Sequence, residues 1–487
     1  MRKPILATTR SIVLFATTVL CAGCASAYRA PELTVASRYG AAVDTDAAQD
    51  TPIGTAASYP RRDAAADPWW HGFEDATLDR LVEDVLTRNR DLSTAALRVQ
   101  RARLQVGQAR NERLPLASGS LSHSNSKAIR GGGPDQDSAN AQLSLRYEVD
   151  LWRRLEVAQT AADWGAQASV EDLDSTALLL IANACDLYWR LADINARIAR
   201  GEDAIATARR TTALIDLQFA AGAVSRLETA EAMQSLQQRI GNQARLTQQR
   251  SELRSAIAVL RGGLYWPKAE EPHTVMASAL PIDAGLPVDL LGRRSDLRAA
   301  EWRLRQTLTE ADRVRLSVYP QLSLNLAMSG SGSSIGDLLD QPLRTVTRSL
   351  LMPFLDANGT RLRIAVARKD YDIAAEDFAQ RLIDAVGEVG EVETANAARV
   401  PLEAQVASAR DTRRAAEQVE RLYALRYRAG AASLRLWLDA QQSRLGAEDA
   451  LSQAELALRR NEIMMVKALG GSPRVWVASA SNFSERQ

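Results

Sequence analysis

Cysteine, histidine and aromatic residues are scarce in this chain, and each scarcity excludes something. Cys21, Cys24 and Cys185 are the only cysteines among 487 residues, which leaves no basis for a disulfide-stapled fold. The three histidines, His71, His123 and His273, are scattered without metal-ligand spacing, and no nucleophile motif accompanies them. Gly131-Gly132-Gly133 is not followed by Lys-Ser/Thr, so it reads as a hairpin loop and not as a phosphate cradle. No catalytic residue, cofactor or metal is expected, and the chain does not read as an enzyme. Sixty basic against fifty-nine acidic residues give a net charge of +1 with no basic stripe, which gives no footprint for nucleic acid. No run of about 20 apolar residues follows the N-terminal segment, so no membrane-spanning helix is expected in the mature chain.

Proline is absent, and glycine limited to Gly165 and Gly201, from Arg154 to Ala220. At ~1.5 Å rise per residue one helix over that stretch is about 100 Å long, a rod that no ordinary globule needs. Leu178, Ile181, Cys185, Tyr188 and Ala192 recur at three- and four-residue steps on one face, and much of the rest of that stripe is alanine, which lets neighbouring helices lie close. A long solvent-exposed coiled coil is the plainest reading of such a rod, so its two ends must decide.

The N-terminus reads as a targeting segment, residues 1–23: Arg2 and Lys3, the apolar run Ile12 to Leu20, then small residues around Cys24. Cys21-Ala22-Gly23-Cys24 resembles a lipoprotein box with Cys24 as lipid attachment site; cleavage after Ala25-Ser26-Ala27 is the alternative. Cys185 then reads as a buried small hydrophobe. Residues 24–75 form an extended lead-in. Two copies of one plan follow at an offset of about 205 residues, residues 76–270 and 289–470, joined by a connector over 271–288 and followed by a polar tail over 471–487. Asp91-Leu92 before Pro115 matches Asp296-Leu297 before Pro320, Asp150 matches Asp356, and Phe219–Ser225 matches Tyr427–Ser433. Each copy is helix, β-hairpin (115–150 and 320–356), long helix, tight turn at Gly222 or Gly430, and return helix. Pro401 in the second long helix, Thr360 to Arg428, is expected to kink it, with two stacked helices as the stronger alternative.

The hairpins carry the discriminating signal. Leu322, Leu324, Leu326 and Met328 alternate with Ser323, Asn325, Ala327 and Ser329, and Leu143, Leu145, Tyr147 and Val149 alternate with Ser144, Arg146 and Glu148. Their weaker partners are Leu116 to Ser126 and Arg344 to Phe354, across loops containing Gly131–Pro134 and Ser329–Gly332; Arg348 breaks the apolar parity of the last strand. Strands of ~9–11 residues, apolar on one face and polar on the other, fit the wall of a transmembrane β-barrel; a soluble hairpin lying on the helices is the alternative. Four strands cannot close, and an open edge finds no partner in hydrocarbon, so a membrane-embedded form must be an oligomer.

The chain resembles the outer membrane efflux protein family, the TolC-like outer-membrane factors, in particular their lipoprotein branch. Seven segments in order carry the resemblance: Tyr147–Trp152, Leu286–Leu291, Arg293–Leu297 with Ala300-Glu301, Tyr319–Leu324, Tyr427–Gly430, Leu438–Gln441 and Lys467–Gly471. It implies a mainly α fold with a transmembrane β contribution: a homotrimer whose twelve strands make one outer-membrane barrel continued by a periplasmic tunnel of antiparallel helices. It further implies a passive exit duct exporting drugs or other small molecules, lipid-anchored in the bacterial outer membrane, with a periplasmic adaptor protein and an inner-membrane pump of RND type as partners. By resemblance the adaptor-contact tips are Ala221, Gly222 and Ser225, and Ala429, Gly430 and Ser433. Family members with an acidic ring at the second tip place it where Ala432 stands here, so the expected tip gate moves to Arg226 and Arg435. Secretion of protein or polysaccharide is the alternative within the duct reading, and a periplasmic coiled-coil scaffold is the alternative of a different class.

Overall fold

The computed structural model describes residues 34–35, 51–52, 68–127, 136–273, 280, 294–340 and 342–471. The targeting segment, Cys24, the loop at Gly131–Pro134, most of the 271–288 connector and nearly all of the polar tail lie outside the described residues. Within the lead-in, Thr34–Val35 pairs antiparallel with Thr51–Pro52.

Seven α-helices and one four-stranded sheet make up the remainder of the described residues. The helices are α1 (Ala76–Arg88), α2 (Arg90–Asn111), α3 (Arg154–Ala220), α4 (Arg226–Leu260), α5 (Ser295–Leu316), α6 (Ala357–Arg428) and α7 (Leu434–Ala468). The strands are β1 (Leu116–Ser126), β2 (Gln136–Val149), β3 (Gln321–Gly332) and β4 (Leu343–Leu351). Two compact units emerge. One comprises Leu97–Glu171 and Asp296–Leu382 and holds the whole sheet; the other comprises Leu33–Ala96, Asp172–Ser295 and Ile383 onward.

In the sheet-bearing unit the strands run in the order β1-β2-β3-β4, every pair antiparallel. The two hairpins expected from the alternation are therefore one sheet, closed across its middle by β2 and β3, with Leu145 opposite Leu326 and Val149 opposite Leu322. The last strand is Leu343–Leu351, shorter than the expected Arg344 to Phe354, because Pro353 has no amide N–H for a ladder and opens a turn of 3-10 helix. A second correction concerns Ser329–Gly332, which is the end of β3 and not a loop. Its glycines make room for a 3-10 turn at Ile335–Leu339: a Cβ on Gly330 would lie 1.8 Å from the Leu338 carbonyl oxygen. Below the sheet, Trp152 stacks on Tyr319 at 5.0 Å and donates its indole N–H to the Pro320 carbonyl over 2.8 Å. Farther along the helices Trp164 stacks on Trp302 at 5.1 Å, and the Arg305 guanidinium lies 4.6 Å from the Trp302 ring centre while pairing with Glu301.

In the other unit the core is helical. The one helix expected at the start of the first copy is broken at Asn89, whose side-chain oxygen accepts from the Asp91 and Leu92 amides and whose side-chain N–H donates to the Leu260 carbonyl. Asn89 thus caps α2 and ties it to the end of α4. Asp75 caps α1 through Thr77 and Leu78 while accepting a hydrogen bond from the Tyr188 hydroxyl. Leu78, Leu81, Val82, Val85 and Leu86 of α1 are buried, as are Ile181, Cys185, Tyr188, Trp189 and Ala192 of α3. Cys185 is buried, and that burial pushes its thiol pKa up, so it serves as a small apolar side chain. The alternative of two stacked helices at Pro401 is not what forms: α6 continues through it as one helix from Ala357 to Arg428. Near it the buried Asn461 of α7 donates to the Ala395 carbonyl of α6, a side-chain tie beside the position where the proline leaves a backbone acceptor without its donor.

Candidate functional site: the two-faced sheet and the helical turns

Directly opposed residues in an antiparallel sheet point to the same face, so the register sorts every side chain. One face collects Ala117, Gly119 and Leu121 of β1; Ala141, Leu143, Leu145, Tyr147 and Val149 of β2; Leu322, Leu324, Leu326 and Met328 of β3; and Val346 and Leu350 of β4. Leu121, Leu143, Met328, Val346 and Leu350 are more than half exposed. A contiguous exposed apolar surface of this size marks a partner or a membrane, since burying it is worth ~25 cal/mol per Å². The opposite face carries Ser118, Ser120, Ser122 and Ser124, then Ser138, Asn140, Gln142, Ser144, Arg146 and Glu148, then Ser323, Asn325 and Ser329, then Thr345, Thr347 and Ser349. Hydroxyls there bond one another across strands, Ser118 with Ser144 and Ser124 with Ser138, each at 2.8 Å. Glu148 is paired with Arg154 at 2.7 Å.

Both outer strands, β1 and β4, have one neighbour only, so each presents an edge of unpaired backbone donors and acceptors. Each is exposed along its entire length. A sheet with one apolar face, one hydroxyl-rich face and two open edges is a wall segment that needs further strands on both sides.

The two helical turns are built alike. At the first, the Gly222 amide donates to Phe219 O and the Ala223 amide to Gln218 O; at the second, Gly430 donates to Tyr427 O and Ala431 to Arg426 O. This pair of bonds requires a left-handed residue, and Gly222 and Gly430 have φ of 73° and 71°. Ser225 then caps α4 in a reciprocal box with Glu228, and Ser433 caps α7 by accepting from the Leu436 amide. Their neighbours are tied together: the Tyr427 hydroxyl donates to Gln218 over 3.1 Å, Tyr427 stacks on Trp437 at 5.2 Å, and Ile215, Ala232 and Leu434 form a buried cluster beneath. Ala221, Gly222, Ser225, Ala429, Gly430 and Ser433 are all exposed. Arg226 is exposed as well, and Arg435 faces Asp439 of its own helix at 3.9 Å. Cys24 lies outside the described residues, and no cluster able to hold a metal ion occurs among them.

Sequence reading missed a set of buried and half-buried charges on and between the helices. Arg239 donates to Gln441, Arg254 pairs with Glu271, Arg459 with Glu462, and Arg444 with both Glu420 and Glu448. The signal that could have found Arg239 is its place in a seven-residue series of buried positions, Ala232, Arg239, Leu246, Leu253 and Leu260.

The profile of the family described as outer membrane efflux protein matches residues 81–263 and 286–471. The chain is 28% identical over 489 residues to outer membrane protein OprJ of Pseudomonas aeruginosa, covering 97% of both chains. It is 26% identical over 478 residues to the antibiotic efflux pump outer membrane protein ArpC of Pseudomonas putida, covering 95% of this chain and 96% of that one. The solved outer-membrane channel OprN superposes with a TM-score of 0.75 at 26% identity, over 93% of this chain and 100% of that one.

Proposed function

Because the chain belongs to the outer membrane efflux protein family, we propose that it is the outer-membrane exit duct of a tripartite efflux system, passing drugs or other small molecules outward. The observation that carries this is the sheet: its exposed apolar face suits lipid, its serine-rich face suits water, and its two open edges call for other copies. Three copies supply twelve strands, enough to close a barrel without edges. The duct itself is passive, with energy supplied by an inner-membrane pump of RND type through a periplasmic adaptor.

The exposed turns around Gly222 and Gly430 are the adaptor contacts in this reading, because small residues there let partner helices approach closely. Arg226 and Arg435 gate the tip by pairing with carboxylates of a neighbouring copy, and acylated Cys24 anchors the chain to the outer membrane. The family resemblance and the box around Cys24 support these assignments.

Deleting the gene and measuring drug sensitivity alongside secreted products tests the reading. Increased sensitivity with unchanged secretion, together with heat-resistant trimers in the outer-membrane fraction, is expected. Loss of a secreted protein or polysaccharide with unchanged sensitivity would move the cargo to secretion, and release by carbonate wash would overturn the duct.

A further inference from the structure

Charge distribution over the two faces of the sheet has one anomaly. Arg146 lies on the hydroxyl-rich face, where a cation is solvated. Arg344 and Arg348 do not: the register sets Arg344 opposite Met328, with Leu143 one strand beyond, and Arg348 opposite Leu324, with Tyr147 one strand beyond, all on the apolar face. Both are exposed, and neither has a hydrogen-bond or ion-pair partner among the described residues. An arginine on the lipid side of a barrel is most costly at the bilayer midplane and least costly near its interfaces. Two in one short strand need a compensating anion.

Among the described residues the neighbouring strands do not supply one, and Asp337 of the adjoining turn is already held by Ser333 and Ser334. The outward residues of the neighbouring strand β3 are Leu322, Leu324, Leu326 and Met328. Pairing the open edge of β4 with β1 of another copy would bring Ala117, Gly119, Leu121, His123 and Asn125 alongside, with no carboxylate on β1 itself, and Asp137, opposite Asn125 on β2, already accepts a hydrogen bond from it. Position along the strand points to headgroups. Arg344 follows the first residue of β4, on the side of the 3-10 turn, and Arg348 stands three positions before the last, Leu351. The nearer headgroup layer is the one on the turn side for Arg344 and the one at the Leu351 end for Arg348, and toward each an extended arginine can lay its stem on apolar surface and carry its guanidinium outward. The planar fork of arginine suits a phosphate, which it binds by paired charge-assisted hydrogen bonds.

We infer that Arg344 and Arg348 form a binding edge for the phosphates of anionic membrane-lipid headgroups on the apolar face of the sheet. This rests on the outer-membrane reading of that face. The edge holds lipid at the open side of β4, where a seam with the next copy forms.

The full chain, purified as its oligomer in mild detergent, is titrated with bisphosphorylated lipid A and with the same lipid stripped of its phosphates, and bound lipid is counted by native mass spectrometry. Wild type is expected to bind the phosphorylated lipid about tenfold more tightly than Arg344→Gln/Arg348→Gln, with Arg344→Lys/Arg348→Lys between them. Arg146→Gln, on the other face, is expected to match wild type. Equal binding by the Gln pair, equal binding of the stripped lipid, or displacement by millimolar inorganic phosphate would each overturn the inference. If the Gln pair does not assemble, the Lys pair decides: binding as tight as wild type overturns it. A wild type that yields no oligomer from outer membranes fails the duct reading itself, a result distinct from an assembled oligomer indifferent to phosphate.

Discussion

Arg239 donates to the side-chain oxygen of Gln441 over 3.1 Å, and both are buried: Arg239 in a seven-residue series on α4 that is otherwise apolar, Ala232, Leu246 and Leu253, and Gln441 seven residues after the buried Leu434 on α7. Burial lowers the pKa of Arg239, with the Arg444 charge acting in the same direction. A polar pair at one level of a helical seam fixes which turns face each other, at a cost in stability. Gln441→Leu strips the guanidinium of its acceptor and is expected to destabilise by ~1–3 kcal/mol. Arg239→Met with Gln441→Leu removes both and is expected to recover that loss. Apparent Tm from circular dichroism checks this, and equal losses in the single and double variants would count against a register pair.

Glu462 gives a pH dependence with a definite sign. It is fully buried beside Arg459, and burial raises its pKa against the lowering effect of the Arg459 charge and hydrogen bond. Unfolded, the carboxyl titrates near its ordinary value of 4.5. Folded, it holds its proton to higher pH, so its contribution to stability is whole below 4.5 and is lost as pH rises through the folded pKa. Glu462→Gln, which does not titrate, is therefore expected to gain on wild type as pH is raised from about 4.5 to about 7.5. Melting both proteins at the two pH values gives the variant-minus-wild-type difference in Tm, and a difference that falls as pH rises would contradict the sign.

The Ile335–Leu339 turn rests on β3 through the space left at Gly330. A methyl group there would meet backbone, the Leu338 carbonyl at 1.8 Å, and backbone cannot step aside as a flexible side chain can. Gly330→Ala is expected to lift the turn off the sheet and expose Leu338, now buried. Limited proteolysis between residues 333 and 342 is the readout, with cleavage expected several times faster; an unchanged rate would mean that the turn is not held there.

That glycine also shows where sequence reading ends. Alternation of Leu322–Met328 and Leu143–Val149 gave the faces of the strands, because period two depends on local geometry alone. Residues 329–332 looked like a loop by composition, whereas in the fold their glycines serve a close approach. The union of two hairpins by β2 and β3 joins residues as distant as Leu145 and Leu326, and no local pattern encodes such a pairing. The helical turns were legible because Gly222 and Gly430 each follow a long periodic run and precede a capping serine. The buried ion pairs were not, since Arg459 and Glu462 at positions three apart look like any solvated helix pair.

Adjacent residues of β3 separate the lipid-facing reading from a soluble one. Leu326 lies midway along its strand on the apolar face, opposite Leu145 and Val346, while its neighbour Asn325 faces the other way, opposite Arg146 and Thr347. In a membrane barrel, Leu326→Arg places a charge in hydrocarbon and costs ~2–4 kcal/mol per copy, felt at every copy of the oligomer, whereas Asn325→Arg points into water and costs little. A soluble sheet with this face against its own helices would also reject the charge at Leu326, so the discriminating readout is the outer-membrane oligomer and not stability alone. Leu326→Arg is thus expected to abolish heat-resistant oligomers in the outer-membrane fraction and to restore drug sensitivity to the level of the deletion strain. Asn325→Arg is expected to leave both unchanged. Assembly of the two variants in equal amounts would mean that the apolar face does not meet lipid, and the closed wall inferred from its open edges would fall with it.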